Sequence, residues 1–242
     1  MNIATPEQIE IAPAKAPHGQ SDAFPERTLL SIVIPVRDAA GSLPATLNAI
    51  TDWITRSMLG VEVVIIDDGS SDTTRATASS FGRRIANLQV LRHVERRGQL
   101  EAVRTGEGVA RGELIAFGRS HDLEWSLARC SELLNAVLAG ADVAILPVAP
   151  EPRLTPVPGP RTRGIAGTCV DWLRRQVPGP MRDPALVVCR AAALREMIAA
   201  ARPDDDADPD WTALARRAKC ALSVVRRGRA STRSRLLPAP SV

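Results

Sequence analysis

The chain contains no tyrosine, and aromatic residues make up only 3% of its 242 positions. Aliphatic side chains must therefore fill the core. The stacking platforms that bind single-stranded nucleic acid are missing too, so no nucleic-acid partner is expected. Lysine is nearly absent: of 31 basic residues only Lys15 and Lys219 are lysines. The arginine excess suits phosphate-bearing ligands, because a guanidinium pairs with phosphate oxygens through two parallel hydrogen bonds. The four cysteines, Cys130, Cys169, Cys189 and Cys220, include no Cys-x-x-Cys pair. That spacing excludes a cysteine zinc site and offers no disulfide framework, so they read as small buried hydrophobes. No run reaches the roughly 20 apolar residues that cross a bilayer. No basic stretch followed by an apolar segment opens the chain. The expectation is a cytoplasmic protein, at most peripheral to the inner face of the membrane.

What is present is ordinary for a globular protein, with 45% hydrophobic and 24% charged residues and a net charge of +4. The length suffices for one large domain or two small ones with a real core. Residues 1–28, rich in Pro, Ala and polar side chains, read as a mobile tail. LLSIVIPV (29–36) is β-branched and apolar throughout, as a buried strand is. In 42–58 the spacing of Leu43, Leu47, Ile50 and Ile54 predicts a helix. Val61 to Ile66 predicts a second buried strand, running into Asp67-Asp68-Gly69-Ser70, with Ser71 or Asp72 as a cap for the next helix. Strands follow at 88–93, 113–117 and 141–148, with helices over 98–110 and near 126–139. Strands that alternate with helices and are apolar on both faces predict an α/β fold with a mainly parallel sheet covered on both sides.

Beyond residue 148 the pattern breaks into a Pro-rich loop. A helix is predicted over 165–177, a short strand or turn over 183–190, and a helix over 191–201. An acidic turn, a helix from Trp211 to Cys220 and a last strand complete the domain, which is expected to span 29–225. The acidic turn, Asp204 to Asp210, lacks the ligand spacing of a calcium loop and reads as solvated. Residues 226–242 form an Arg-rich tail. It is either a solvated end or a contact for anionic headgroups, at about 1 kcal/mol per basic residue near the surface.

In open parallel sheets, ligands sit beyond the carboxyl ends of the strands. That rule gathers Pro35-Val36-Arg37-Asp38, Asp67-Asp68-Gly69 and Ser120-His121-Asp122 on one rim. Carboxylates there can accept from ribose hydroxyls or a base N–H, and Gly permits close backbone approach. The plainer reading of Asp67-Asp68-Gly69-Ser70 is a turn between strand and helix. Asp38 and Asp122 on the same rim tip the balance towards binding.

SIVIPVRDAAGSLPATL followed by VVIIDDGSSDTT resembles the opening of the family-2 glycosyltransferases of GT-A fold. RRGQLEAVRTGEGVARGELIAF (96–117) resembles that family's next block. RDPALVVCRAAAL (182–194) and DWTALARRAKCALSVV are similar in outline to segments of the polyprenol-phosphate and dolichol-phosphate sugar synthases. The resemblance implies a GT-A-type, Rossmann-like sheet and transfer of a sugar from a nucleotide-sugar donor, with a lipid phosphate as acceptor. It implies that Asp38 and Asp68, with Asp67 and Pro35, form the nucleoside pocket. Asp122 would hold Mg²⁺ or Mn²⁺, joined by His121, and Arg161 and Arg163 would meet the acceptor's phosphate. Arg229 and Ser234 fall near the family's closing Arg…Ser segment.

The chain departs from the family at three places. Ser120 replaces the first carboxylate of the Asp-x-Asp motif, which leaves one hard oxygen ligand and favours Mn²⁺ or a softer ion if His121 binds. His121 also reads as a solvated loop residue. Ala185-Leu186-Val187-Val188 stands where the family has Gly-Phe, and a Pro-rich loop replaces Gly-Ser-Arg after the fifth strand. These departures leave two alternatives open. One is a catalytically inactive relative that binds nucleotide and regulates or scaffolds; the other is a nucleotide-binding module of another α/β family.

Overall fold

The computed structural model describes residues 9–12, 28–119, 126–147, 184–205 and 209–225. Chain order runs β1 (Ile9–Ala12), β2 (Leu30–Val36), α1 (Leu43–Ser57), β3 (Val61–Asp68), α2 (Thr74–Ser80), β4 (Leu88–His93), α3 (Gln99–Val109) and β5 (Leu114–Phe117). It continues with α4 (Cys130–Leu138), β6 (Val143–Pro147), β7 (Pro184–Arg190), α5 (Ala191–Ala199), α6 (Trp211–Arg217) and β8 (Leu222–Val224). One eight-stranded sheet results, in the order β1-β4-β3-β2-β5-β7-β6-β8.

The centre of the sheet is as the apolar runs predict. Every residue of β3 is buried, and β2 pairs parallel with both β3 and β5. Leu43, Thr46, Leu47, Ile50 and Trp53 form the buried stripe of α1, which has Pro44 in its first turn and ends on Met58 at φ 56°. Helices α1, α2 and α4 cover one face. Helices α3, α5 and α6 cover the other, where Trp211 packs on Phe117 with ring centroids 4.4 Å apart. Of the two glycines within the α3 sequence, Gly106 has a tertiary reason. A Cβ there would lie 2.3 Å from Val33 Cγ1, so its absence lets the helix sit down on β2.

Several boundaries and one direction differ from the sequence reading. The segment predicted as a short strand or turn is a seven-residue strand in the middle of the sheet, antiparallel to both β5 and β6. Ala185 to Cys189 are fully buried, so an all-apolar strand is what this position requires. Within the stretch read as tail, Ile9–Ala12 is an antiparallel edge strand on β4, consistent with the two-residue alternation Ile9-Glu10-Ile11. The last helix stops at Arg217, because Lys219 turns into the left-handed region at φ 58°. The acidic turn is not wholly solvated: Asp205 accepts two hydrogen bonds from Arg217 at 2.8 and 3.0 Å. Asp210 caps α6 by accepting from the Ala213 N–H. The helix predicted over 165–177 lies outside the described residues, as does the Arg-rich tail. Among the described residues no helix is long and apolar enough to cross a membrane.

At the amino ends of the strands a buried carboxylate ties the sheet to the loop before β5. Glu62 accepts from the Ser31 hydroxyl at 2.5 Å and from the Arg111 N–H, and Gln89 reaches its other oxygen at 3.5 Å. The Gly112 N–H in turn donates to Ser31 Oγ at 2.8 Å. The group is closed, each buried acceptor having a donor.

Candidate active site

The opposite rim is built from the turns that follow β2, β3 and β4. Asp38 sits at φ 44°, in the left-handed region that Asp tolerates better than most residues. The turn after β2 donates a ladder of backbone N–H groups to side chains of the turn after β3. Asp38 donates to Ser70 Oγ at 2.9 Å, Ala39 to Thr74 Oγ1 at 2.7 Å and Ala40 to Asp72 Oδ2 at 3.1 Å. In return Asp38 Oδ1 accepts from the N–H and the hydroxyl of Ser71, at 2.8 and 3.1 Å. Its other oxygen is left towards solvent and Arg37, whose Nε is 3.5 Å away. Asp72 accepts from the Thr74 N–H and hydroxyl, so it anchors the turn into α2 although Thr73 is the capping residue by conformation.

Asp67 and Asp68 are adjacent on a strand and so point to opposite faces. Both are buried. On the α2 side Asp67 Oδ1 accepts from the Ser70 N–H at 2.9 Å. Its Oδ2 faces Arg92 Nε at 3.7 Å, and neither atom has a hydrogen-bond partner. A shallow depression lined by Asp67, Ser70, Asp72, Arg75 and Arg92 opens there. On the α3 side Asp68 Oδ1 accepts from the Arg97 N–H at 2.7 Å and from His93 Nδ1 at 2.9 Å. Oδ2 accepts from the Gly98 N–H at 2.9 Å. Gly69, at φ 71°, completes the junction, since a Cβ would lie 2.8 Å from the Arg96 nitrogen. The three turns are thus one hydrogen-bonded unit.

The electrostatics follow from these contacts. Burial acts to raise the Asp68 carboxyl, but the His93 ring and the N–H groups of Arg97 and Gly98 outweigh it and hold the group below its ordinary range. The Ser71 N–H and hydroxyl lower Asp38. The Thr74 hydroxyl and N–H do the same for Asp72. All three are anionic at neutral pH, so the rim offers acceptors rather than acids.

Of the residues expected to form the site, Pro35, Asp38, Asp67 and Asp68 come together here. Pro35 is half-buried on β2, opposite Ile66. Ser120, His121, Asp122, Arg161, Arg163, Arg229 and Ser234 lie outside the described residues. β5, which leads towards 120–122, ends at Phe117 beside Val33 of β2. Among the described residues no three His, Cys, Asp or Glu side chains are grouped to hold a metal. The sequence reading assigned no role to Arg92 and His93. Their signal was a polar pair closing an apolar strand, in register with the two aspartates: Asp67 lies opposite Arg92 and Asp68 opposite His93.

The sequence matches a known family. The model of glycosyl transferase family 2 matches residues 31–196, more than half of the chain, and the chain belongs to that family. It is 34% identical over 88 residues to the glycosyltransferase AglE of Haloferax volcanii, covering 36% of this chain and 29% of that one. It is 32% identical over 119 residues to the undecaprenyl-phosphate 4-deoxy-4-formamido-L-arabinose transferase of Aeromonas hydrophila, covering 48% and 35%. The chain therefore spans about a third of the length of the curated relatives it matches. Among solved structures it resembles the mannosyltransferase PcManGT of Pyrobaculum calidifontis in complex with GDP-Man and Mn²⁺. The TM-score is 0.60 at 17% identity, over 83% of this chain and 55% of that one. The fold is the GT-A-type α/β arrangement expected from the opening motifs.

Proposed function

We propose that the chain moves a sugar from a nucleotide-sugar donor to an acceptor, and that the acceptor is a polyprenyl phosphate met at the cytoplasmic face of the membrane. The observation that carries this reading is the unit of three turns at the carboxyl ends of β2, β3 and β4, which presents Asp38 and Asp68 from one rigid rim. Asp38, with one oxygen open to solvent, and Asp68 accept from the nucleoside, and Pro35 shapes the pocket. Asp67 holds the turn through the Ser70 N–H.

Asp122 and His121 are the residues that would hold a divalent ion. A carboxylate oxygen with an imidazole nitrogen suits Mn²⁺ better than Mg²⁺. Such an ion supplies positive charge opposite the departing diphosphate. Arg161 and Arg163 bind the acceptor phosphate, which is already an anion at neutral pH and needs positioning more than deprotonation. The names of the relatives support the donor and acceptor classes: one carries undecaprenyl phosphate in its name, and another was solved with GDP-Man and Mn²⁺. The domain spans 29–225, to which Ile9–Ala12 adds an edge strand, and 226–242 follows it.

Purified protein is titrated with a panel of UDP- and GDP-sugars, with and without Mn²⁺, and thermal stability is followed. A donor that raises Tm only with metal, and loses this effect in Asp122→Ala, is the expected result. Absence of any donor effect in the wild type overturns the reading.

A further inference from the structure

We propose that His93 is a positioning residue for the donor. It acts through Asp68 and aims the one free acceptor site of that carboxylate at the bound nucleoside. The inference rests on the nucleotide-sugar reading above.

The argument begins with the lone pairs of Asp68. An ionised carboxylate offers about four acceptor sites, two on each oxygen. Oδ1 is filled by the Arg97 N–H and by His93 Nδ1, at 2.7 and 2.9 Å. Oδ2 takes the Gly98 N–H at 2.9 Å and keeps one site. A donor from a ligand therefore has one place to bind, and its direction is set by what locks the carboxylate.

His93 supplies that lock. Its side chain is fully buried, and both ring nitrogens are in use: Nδ1 on Asp68 and Nε2 on Thr105 Oγ1 at 2.9 Å. Because an ionised carboxylate only accepts, Nδ1 carries the proton, and in the neutral ring Nε2 accepts from the Thr105 hydroxyl. Thr105 lies on α3 next to Gly106, the residue pressed against Val33. The ring thus joins the ligand-facing carboxylate to the helix that is seated on the central strand.

Tying a loop to the sheet does not by itself call for an imidazole. Glu62 holds the Arg111 N–H at the other end of the sheet with a serine and a glutamine as its further partners. At Asp68 the loop is already held by two N–H groups. The additional donor, rigidly backed from the far side, orients the carboxylate.

The test is a double-mutant cycle on the full chain, with UDP and GDP plus Mn²⁺ as probes and Kd read by calorimetry. His93→Phe keeps a flat ring, although a larger one, and removes both bonds; it is expected to weaken the preferred nucleotide about tenfold, as loss of a bond to a charged group does. His93→Asn, which can still donate to Asp68 from nearly the Nδ1 position, restores affinity to within about threefold. In an Asp68→Asn background, His93→Phe is expected to cost less than about twofold more, since its route to the ligand is gone. Thr105→Val leaves the Asp68 bond intact and is the variant to use if His93→Phe does not fold. It is expected to weaken binding about threefold. Unchanged affinity in a folded His93→Phe or Thr105→Val protein overturns the inference. So does an equal loss with and without Asp68, which marks His93 as packing alone. A wild type that binds neither nucleotide sinks the function reading itself, a different result from variants that match a wild type that binds.

Discussion

The two ends of the sheet solve one problem in different ways. At each end a buried carboxylate on β3 accepts from the backbone of a loop: at the amino end from the loop before β5, two strands away, and at the carboxyl end from the loop after β4, its neighbour. Glu62 at the amino end takes Arg111, and its oxygens are completed by Ser31 and Gln89. Asp68 at the carboxyl end takes Arg97 and Gly98 and is held from behind by His93. The amino end is closed on itself. The carboxyl end keeps capacity in reserve: an open site on Asp68 Oδ2, an exposed oxygen on Asp38, and Asp67 Oδ2 facing Arg92 with no hydrogen bond. A satisfied network serves stability, whereas an incomplete one at a strand's carboxyl end is where a ligand fits.

The sharpest test of the contrast is a matched pair. Glu62→Ala and Asp68→Ala each strand buried donors and are expected to lower unfolding free energy by about 3 kcal/mol in urea titrations. Only Asp68→Ala is expected to abolish nucleotide binding as well. A Glu62→Ala protein that also fails to bind nucleotide, while still folded, breaks the division between the ends.

Next in size is Gly106→Ala. The added methyl meets Val33 at 2.3 Å, so α3 must shift, at an expected cost of about 2 kcal/mol in thermal or chemical denaturation. Gly108→Ala one half-turn on, where a Cβ meets nothing, is the control and is expected to stabilise slightly.

Asp38→Asn keeps the shape and one acceptor oxygen but removes the charge. Calorimetry is expected to show about a tenfold loss of nucleotide affinity with little change in Tm.

The smallest effect is one of pH. Asp38, Asp68 and Asp72 all titrate below their ordinary values. Groups of this kind contribute stability that is complete above the unfolded-state pKa, near 4, and that is lost as pH falls through the depressed folded value. Hydrogen-exchange protection in 37–40 and 69–74, measured relative to the intrinsic rate at each pH, should therefore be unchanged from pH 8 to about 5, and it should fall first at this rim as the solution is acidified further. Earlier loss at the loop around Arg111 reverses the comparison.

Much of this was legible in the residues. All-apolar β-branched runs such as Val61 to Ile66 fit only strands buried on both faces, and their placement held to within a residue or two. Asp38, Asp67 and Asp68 were legible as neighbours on one rim, and so as a candidate site, because strand ends carry ligands in such sheets. The central place and reversed direction of β7 were not, since Ala185 to Cys189 is apolar in either direction and periodicity carries no sign. His93 was overlooked for a similar reason. A histidine ending a strand says nothing of the carboxylate opposite until the register is known.

The sequence alone determined the class of fold, the strands and helices along most of the chain, and the acidic turns at one rim, because hydrophobic period and turn chemistry act locally. Only the tertiary structure decided that β7 divides the parallel strands, that Gly106 seats α3 on Val33, and that His93 stands behind Asp68. Each of these depends on which distant segments meet, and such a meeting is set by packing the whole sheet at once rather than by any stretch of chain within it.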